Sequence, residues 1–307
     1  MSLIYILQVH KNPEQVCRML TRLQGYDVYF YIHVDLKVEI EKFSFIKETV
    51  KNVFFIENRI DCIWGDFSQV QATFNLLDEV FAISDYNDDD RVIFLSGQDY
   101  PIKSSKIICE FLDKNKECEF INMEDVDKLP KHFRKRIDAF KINYSNNRGD
   151  YCLFSIYFLK NILKKLFLGQ IFIRDLKYVL KRKEKPNGLK LFRGSNWWGL
   201  RISTLKRIKY YYSKDKRVLE PFFRSIISVD EVFFQTMMES YLKDDTLKIM
   251  PSLTYDNWFR KGVELPVTFT IEDIDELITI ADNKLFARKF DCLLDYKILD
   301  YLDEYYK

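Results

Sequence analysis

Alternating buried strands and amphipathic helices along the first hundred residues constrain the fold of this chain most strongly. Short apolar runs predict four strands, at 4–9, 28–34, 53–56 and 91–95. Apolar residues at helical spacing predict helices between them, at 16–23 and 70–82. This order predicts an α/β fold with a mostly parallel central sheet flanked by helices. No internal repeat or linker divides the 307 residues, so we expect a single domain over 1–307.

Polar residues stand where three of these strands end. His10 follows the first strand, Asp35 follows the second, and the loop 96–101 follows the fourth. In open parallel sheets, ligands bind at the carboxyl ends of the strands. These residues are therefore the first candidates for a binding site.

The segment 228–236 places two carboxylates before an apolar helical pattern. Ser228 is a plausible N-cap, and acidic residues suit the positive end of a helix, so one interpretation is a capped core helix without chemistry. The alternative is a general base, because the same helix dipole favours an ionised carboxylate. We expect Asp230 to serve the helix and Glu231 to face a substrate, with the two side chains pointing apart.

Two adjacent tryptophans, Trp197 and Trp198, follow Gly194 and Ser195. One interpretation places one indole in the core and the other in a cleft, and the alternative is an apolar platform that lines a pocket. The Gly-Ser pair favours close approach of another backbone segment.

Composition excludes some classes of partner. The net charge of +2 gives no overall field for nucleic acid, and the basic stretch 160–193 lacks the interleaved aromatics of a stacking groove. We interpret this stretch as a solvated face, an approach path for an anionic ligand, or a peripheral contact with an acidic membrane surface.

Six scattered cysteines without CxxC pairs are typical of reduced thiols, and no segment is long enough to span a membrane. We therefore expect a cytoplasmic protein, peripheral on the inner face of the membrane.

The sequence lacks the motifs of several kinds of catalytic chemistry. No His, Cys or Asp set has zinc spacing, and Asp88–Asp90 precedes a strand instead of following it, which predicts a solvated turn. GxSxG, GxGxxG and GxxxxGK[ST] are absent from the sequence. A carboxylate base with cationic partners remains, and Arg288 and Lys289 stand in an unusually apolar frame. Snorkelling of two surface cations is the plainer explanation for that pair.

Seven motifs in order resemble the core-2/I-branching β-1,6-N-acetylglucosaminyltransferase family, which also contains the peptide xylosyltransferases. They are VHKN (9–12), IHVD (32–35), WG with S-x-V-x-A (64–72), LSGQDYPIK (95–103), GS-x-WW (194–198), DE-x-FF-x-T (230–236) and LFARKFD (285–291). The resemblance implies a GT-A-type fold, a UDP-sugar donor, inversion at the anomeric carbon, and neither metal nor other cofactor. It also implies a nucleotide-binding half of about 1–125 and an acceptor and catalytic half of about 126–307.

The resemblance assigns the catalytic base to Glu231 and a diphosphate contact to Lys289. The candidate donor-binding residues are Val9, His10, Asp35, Ser96, Gly97, Gln98, Asp99, Arg288 and Lys289. The candidate residues of the acceptor and sugar pocket are Glu124, Arg136, Ser195, Trp197, Trp198, Asp230 and Trp258. Members with a second diphosphate arginine place it near Pro266 here, so that role is vacant or moves to Arg260, Lys261 or Arg288.

The expected reaction moves GlcNAc from UDP-GlcNAc to a sugar hydroxyl of an oligosaccharide or lipid-linked glycan, in a β-1,6 branching manner. UDP-xylose or another UDP-sugar is the alternative donor. A protein that binds a sugar or nucleotide without catalysis is the alternative of another class.

Overall fold

The computed structural model describes residues 1–83, 86–242 and 247–306, and these ranges form fourteen strands and ten α-helices. The strands are β1 Leu3–Val9, β2 Val28–Val34, β3 Val53–Phe55, β4 Arg91–Ser96, β5 Asp99–Pro101, β6 Cys118–Phe120, β7 Glu124–Asp125, β8 Phe140–Asn143, β9 Tyr151–Phe154, β10 Phe192–Arg193, β11 Gly199–Arg201, β12 Lys248–Met250, β13 Thr254–Asp256 and β14 Phe286–Arg288. The helices are α1 Pro13–Leu23, α2 Ile46–Thr49, α3 Phe67–Ala82, α4 Ser105–Lys114, α5 Lys131–Asp138, α6 Leu159–Phe167, α7 Ile202–Arg224, α8 Phe233–Tyr241, α9 Ile274–Ile280 and α10 Lys297–Tyr305.

Seven strands form the central sheet, in the order β12-β6-β11-β4-β1-β2-β3. Strand β11 alone within this sheet runs antiparallel to its neighbours β4 and β6, and the other pairings are parallel. Strand β1 pairs with β4 and β2 along its two edges, and an apolar core covers each face of the sheet, so its residues are almost all buried. The predicted α/β class with a mostly parallel sheet is confirmed.

Side chains of β1 alternate between two apolar cores, one on each face of the sheet. Leu3, Tyr5 and Leu7 belong to the core that α1 and α10 cover, whereas Ile4 and Ile6 belong to the core beneath α3, α7 and α8. A third, smaller core lies outside the sheet and is built around the hairpin of β8 and β9. Within the described ranges, no helix is long and apolar enough to cross a membrane.

The two predicted helices exist, and each begins three residues earlier than its sequence pattern indicated. Helix α1 begins at Pro13 instead of 16. Helix α3 begins at Phe67 instead of 70, because the Asp66 carboxylate caps it by accepting the backbone N–H of Ser68 at 3.0 Å. Helix α7 runs for 23 residues and bends at Asp215.

The acidic segment does not form the helix start that its sequence predicted. Residues 229–231 form a 3₁₀ turn, and α8 begins only at Phe233. Ser228 has a left-handed backbone (φ 52°), and its hydroxyl caps no backbone N–H in the described part of the chain. The reason is tertiary, since the Ser228 N–H donates to the carbonyl of Gly65 at 2.9 Å. The predicted Ser228 N-cap is therefore wrong.

Candidate active site

A cleft of about 2060 Å³ opens at the carboxyl edge of β1, β2 and β4. This volume exceeds the usual range for one small ligand, about 300–1,000 Å³, and suits two substrates side by side. Most of the residues expected from the sequence line it. They are Val9, His10, Asp35, Ser96, Gln98, Glu124, Arg136, Ser195, Trp197, Asp230, Glu231, Trp258, Arg288 and Lys289.

Three residues expected to contact ligand lie behind the wall of the cleft. Gly97 packs against α1, where an added Cβ would come within 3.1 Å of Val16. Asp99 is fully buried and accepts hydrogen bonds from the backbone N–H and hydroxyl of Ser96, so it shapes the loop that follows β4. Trp198 is buried against Phe94. Gly97 and Trp198 lie there because they pack against apolar side chains, and Asp99 lies there because it stabilises the loop after β4.

Asp35 is a fixed carboxylate at the end of β2. Its two oxygens accept the backbone N–H groups of Lys37 at 3.0 Å and Cys62 at 3.3 Å. Its own N–H donates to the carbonyl of Val9 at 2.8 Å, which ties it to β1. Beside it, burial and the neighbouring Lys11 charge lower the pKa of His10, which favours a neutral imidazole. This edge therefore offers neutral and anionic hydrogen-bonding groups to a nucleoside.

Lys289 is the cation of the cleft that is best placed to meet an anion. Its pKa is lowered by burial, then by the charges of Arg288, Arg148 and Lys11, while Glu264 opposes the shift. No carboxylate lies within 4.0 Å of its ammonium among the described residues. The charges of Arg288, Arg148 and Lys11 add to that of Lys289, although Lys11 pairs with Asp291 at 2.6 Å, and a positive field of this kind suits a diphosphate.

Arg288 has a different role from its neighbour. Its guanidinium lies 4.3 Å from the centre of the Trp197 ring, and its Nε lies 3.4 Å from Oδ1 of the buried Asp99. These contacts hold it against the wall of the cleft. Arg288 therefore adds positive charge behind Lys289 while it fixes the Trp197 indole.

The sequence did not single out Arg148, which reaches the cleft from the tip of the β8–β9 hairpin. Its guanidinium lies 4.7 Å from the centre of the Trp64 ring. The hairpin is held in place by Lys141, whose ammonium lies 2.8 Å from the carboxylate of Asp66. The polar loop 144–150 was visible in the sequence, but no spacing related it to Lys289, because a separate hairpin brings the two together.

The alternative positions for a second diphosphate cation behave differently. Arg260 pairs with Asp273 at 2.7 Å and Glu276 at 2.8 Å, so its charge is committed to the start of α9. Lys261 is exposed, and the residues that line the cleft do not include it. Among the described residues, Arg148 is better placed than either.

Glu231 lies in the wall of the cleft, 26% exposed, and accepts a hydrogen bond from Arg193 at 2.6 Å. Burial raises the pKa of Glu231, the Arg193 charge opposes that rise, and the nearby Asp256 charge adds to it. A raised pKa and one fixed cation are what a carboxylate base needs near neutral pH. The sequence did not identify Arg193, because it stands at the end of the basic stretch and looks like part of a solvated face.

Asp230 also lines the cleft, and it precedes α8 instead of forming part of its first turn. Its Oδ1 is buried without a hydrogen-bond partner in the described part of the chain. Burial and the Glu231 charge raise the pKa of Asp230. Both carboxyl groups therefore belong to the same cleft, and the charge of one acts on the other.

Gly194 provides the close approach that the sequence predicted. A Cβ added there would lie 1.8 Å from the backbone oxygen of Asn122. The Gly194 N–H donates to the carbonyl of Glu231 at 2.9 Å. This glycine therefore fixes the backbone that carries both members of the Arg193–Glu231 pair.

The cleft also carries aromatic groups. Trp258 is exposed, and its indole N–H donates to Oδ2 of Asp256 at 2.9 Å. Trp197 lines the cleft but is buried beside Arg288 and Phe94. Trp64 is exposed as well, but Arg148 lies over its ring, so Trp258 is better placed to stack on a sugar ring.

Among the described residues, no group of three or more His, Cys, Asp or Glu side chains could hold a metal ion. Asp88 and Asp89 are exposed at the start of β4, away from the edge that forms the cleft, as a solvated turn requires. Asp90 departs from that prediction, because it is buried and accepts the backbone N–H of Ser2 at 2.6 Å.

Comparison with known proteins agrees with this geometry. The family model described as Core-2/I-Branching enzyme matches residues 4–278. The chain belongs to the Core-2/I-branching enzyme family. The match covers all the strands of the central sheet and both halves of the cleft up to α9, and it supports the GT-A-type α/β fold that the resemblance implied.

Curated relatives of this Core-2/I-branching chain include xylosyltransferases. Human xylosyltransferase 2 is 24% identical over 317 residues, covering 97% of this chain and 33% of the relative. Xylosyltransferase sqv-6 of Caenorhabditis elegans is 23% identical over 315 residues, covering 96% of this chain and 35% of the relative. The chain therefore spans about a third of the length of the curated relatives it matches.

One similar solved structure is a 4-diphosphocytidyl-2C-methyl-D-erythritol synthase. It is 8% identical with a TM-score of 0.38, covering 90% of this chain and 99% of that one.

Proposed function

We propose that this chain is an inverting glycosyltransferase that uses a UDP-sugar donor and a glycan hydroxyl as acceptor. The observation that carries the proposal is the presence, in one cleft, of the Arg193–Glu231 pair and the cations Lys289 and Arg148. Family membership supports the same assignment.

Glu231 acts as the general base in this reaction. Its carboxylate takes the proton of the acceptor hydroxyl while that oxygen attacks the anomeric carbon from the face opposite the diphosphate. The bond between the anomeric carbon and the diphosphate oxygen breaks, and UDP leaves with the electron pair. A single displacement of this kind inverts the anomeric configuration. Arg193 keeps the carboxylate ionised and in place at 2.6 Å.

The leaving diphosphate gains negative charge as its bond breaks. Lys289 and Arg148 are placed to bind it, and Arg288 adds charge from behind. We propose that these cations take the role a divalent metal has in other transferases, so that the reaction proceeds without metal or cofactor. Asp35 and His10 are proposed to contact the nucleoside at the ends of β1 and β2.

Two donors are proposed for direct comparison. UDP-GlcNAc with β-1,6 transfer to an oligosaccharide or lipid-linked glycan is the reaction implied by the motif resemblance. UDP-xylose is favoured by the named activity of the curated relatives. The acceptor is proposed to stack on Trp258, beside Asp230 and Glu231. We propose a cytoplasmic setting, which the six free cysteines support.

A donor screen tests the proposal. UDP, UDP-GlcNAc, UDP-xylose, UDP-glucose and UDP-galactose are compared by thermal stabilisation, and the four UDP-sugars also by UDP release in the presence of an oligosaccharide acceptor, with EDTA and with Mn²⁺. We expect one UDP-sugar to stabilise the folded state, since a ligand at 100 times its Kd adds about 2.7 kcal/mol. We also expect UDP to be released from that donor at the same rate in EDTA as in Mn²⁺. Strict Mn²⁺ dependence would contradict the cationic role, and stabilisation without any UDP release would support a binding protein.

A further inference from the structure

Large apolar side chains lie exposed on the small subdomain outside the central sheet. On α6 they recur every fourth residue, at Leu159, Leu163 and Phe167, and thus share one helix face. Leu168, Phe172 and Ile173 follow in the next turns. Phe167 is 92% exposed and Ile173 is 75% exposed. We call these six residues the apolar ridge.

The ridge is not an unfolded or loosely packed segment. The opposite side of the same elements is buried, with Ile162 and Ile171 in the small core around β9. Asp175, the one carboxylate between 156 and 182, is buried and accepts a hydrogen bond from the Tyr144 hydroxyl at 2.6 Å. The fold therefore exposes the ridge to solvent, whereas it buries the Asp175 carboxylate against the Tyr144 hydroxyl.

Positive charge dominates the segment that carries the ridge. The segment 156–182 contains seven cations, Lys160, Lys164, Lys165, Arg174, Lys177, Lys181 and Arg182, against the single carboxylate of Asp175. Exposed aliphatic and aromatic groups ringed by lysine and arginine are typical of a helix that lies in the interface of an anionic bilayer. A second copy of the chain is a poorer fit, because a symmetric contact would bring two strongly positive surfaces together.

We propose that the apolar ridge and its cations dock this protein peripherally on an anionic lipid surface. Leu163, Phe167 and Ile173 enter the headgroup–acyl boundary, and the cations bind lipid phosphates. The same subdomain supplies the Arg148 hairpin, and the Tyr144–Asp175 bond connects the ridge to the hairpin loop. Docking would thus hold the cleft near a membrane-borne acceptor. That consequence rests on the proposed transfer, whereas the docking itself does not.

Vesicle co-sedimentation tests the docking without any substrate. Extruded vesicles of phosphatidylcholine alone are compared with vesicles containing 30% phosphatidylglycerol, at low salt and in 0.5 M NaCl. We expect sedimentation with the anionic vesicles, weakened by salt and small with phosphatidylcholine alone. Lys160→Gln with Lys164→Gln should lower the partition coefficient about 25-fold, since each cation near the surface contributes about fivefold.

Phe167→Ser with Ile173→Ser should lower binding at least tenfold, because the inserted apolar area is lost. Leu293→Ser is the matched control, since Leu293 is 85% exposed outside the ridge. Circular dichroism melts establish that the variants fold, and light scattering after gel filtration gives their oligomeric state. Absence of binding to anionic vesicles, or equal loss in the control, would overturn the proposal. A wild-type dimer that the Phe167/Ile173 variant converts to monomer would also overturn it, in favour of a contact between copies.

Discussion

The Arg193–Glu231 pair gives the most quantitative prediction of the proposed mechanism. The two charges are 2.6 Å apart, and both side chains are about a quarter exposed. A cation at this distance usually lowers a carboxyl pKa by about 1–3 units. Partial exposure to solvent screens the pair and weakens this effect. Arg193→Gln removes the cation and should therefore raise the pKa of Glu231.

The sign of the effect on rate follows from the role of the base. Glu231 must be ionised, so kcat/KM is maintained above its pKa and falls as the pH drops through it. Arg193→Gln should move this acidic limb to higher pH, so that on the limb the rate is roughly tenfold lower than in the wild type. At pH values above the shifted limb, the rate of the Arg193→Gln variant should approach that of the wild type.

The assay is UDP release between pH 4.5 and 9, with saturating donor and an oligosaccharide acceptor below its KM, so that the rate reports kcat/KM for the acceptor. Lys190→Gln is the matched control, because it removes a neighbouring cation that pairs with Asp125 at 2.9 Å instead of with Glu231. We expect the control to leave the acidic limb in place. A limb that does not move in Arg193→Gln, or a uniform loss at every pH, would refute the assignment of Arg193 as the group that keeps Glu231 ionised.

Three further changes test other parts of the site. Lys289→Met should weaken UDP binding about 10- to 150-fold by calorimetry, because a charge-assisted hydrogen bond contributes about 1.5–3 kcal/mol. Lys141→Met should lower the free energy of unfolding in urea by about 3–5 kcal/mol, because it leaves the Asp66 carboxylate without its cation, and adding Asp66→Asn should restore part of the loss. Gly194→Ala should cost about 1–3 kcal/mol in the same assay and lower activity, because its Cβ would meet the Asn122 carbonyl at 1.8 Å.

Controls make each of these outcomes decisive. Lys261→Met removes an exposed cation outside the cleft, and equal weakening there would contradict a specific role for Lys289. Gly199→Ala adds a Cβ at 3.5 Å from its nearest neighbour, so a loss as large as at Gly194 would contradict the close-approach argument. A double variant no more stable than Lys141→Met alone would show that the buried charge is not the cause.

The strands and the carboxyl edge of the sheet could be predicted from the sequence because their signals are local. Apolar runs such as 4–9 and 28–34 are read directly, and the polar residues that end them, His10 and Asp35, are adjacent in the chain. Glu231 and Lys289 could be named because each stands in a short, recognisable motif.

What could not be predicted depends on contacts between distant segments. Arg193 and Glu231 are 38 residues apart, and Gly194 brings them together through backbone approach. Arg148 enters on a hairpin that a buried ion pair holds against α3. The Ser228 N-cap was wrong for the same reason, because bonding to Gly65 replaced local capping. A local sequence pattern carries no information about contacts between segments that are far apart in the chain.

The most direct test of the central claim is the rate of sugar transfer by Glu231→Gln, measured beside its affinity for UDP. The change keeps the shape of the side chain and removes the base. We predict a loss of transfer of about 10²–10⁴-fold with UDP affinity nearly unchanged, since Lys289 and Asp35 remain. Transfer near the wild-type rate would contradict the assignment of Glu231 as the catalytic base.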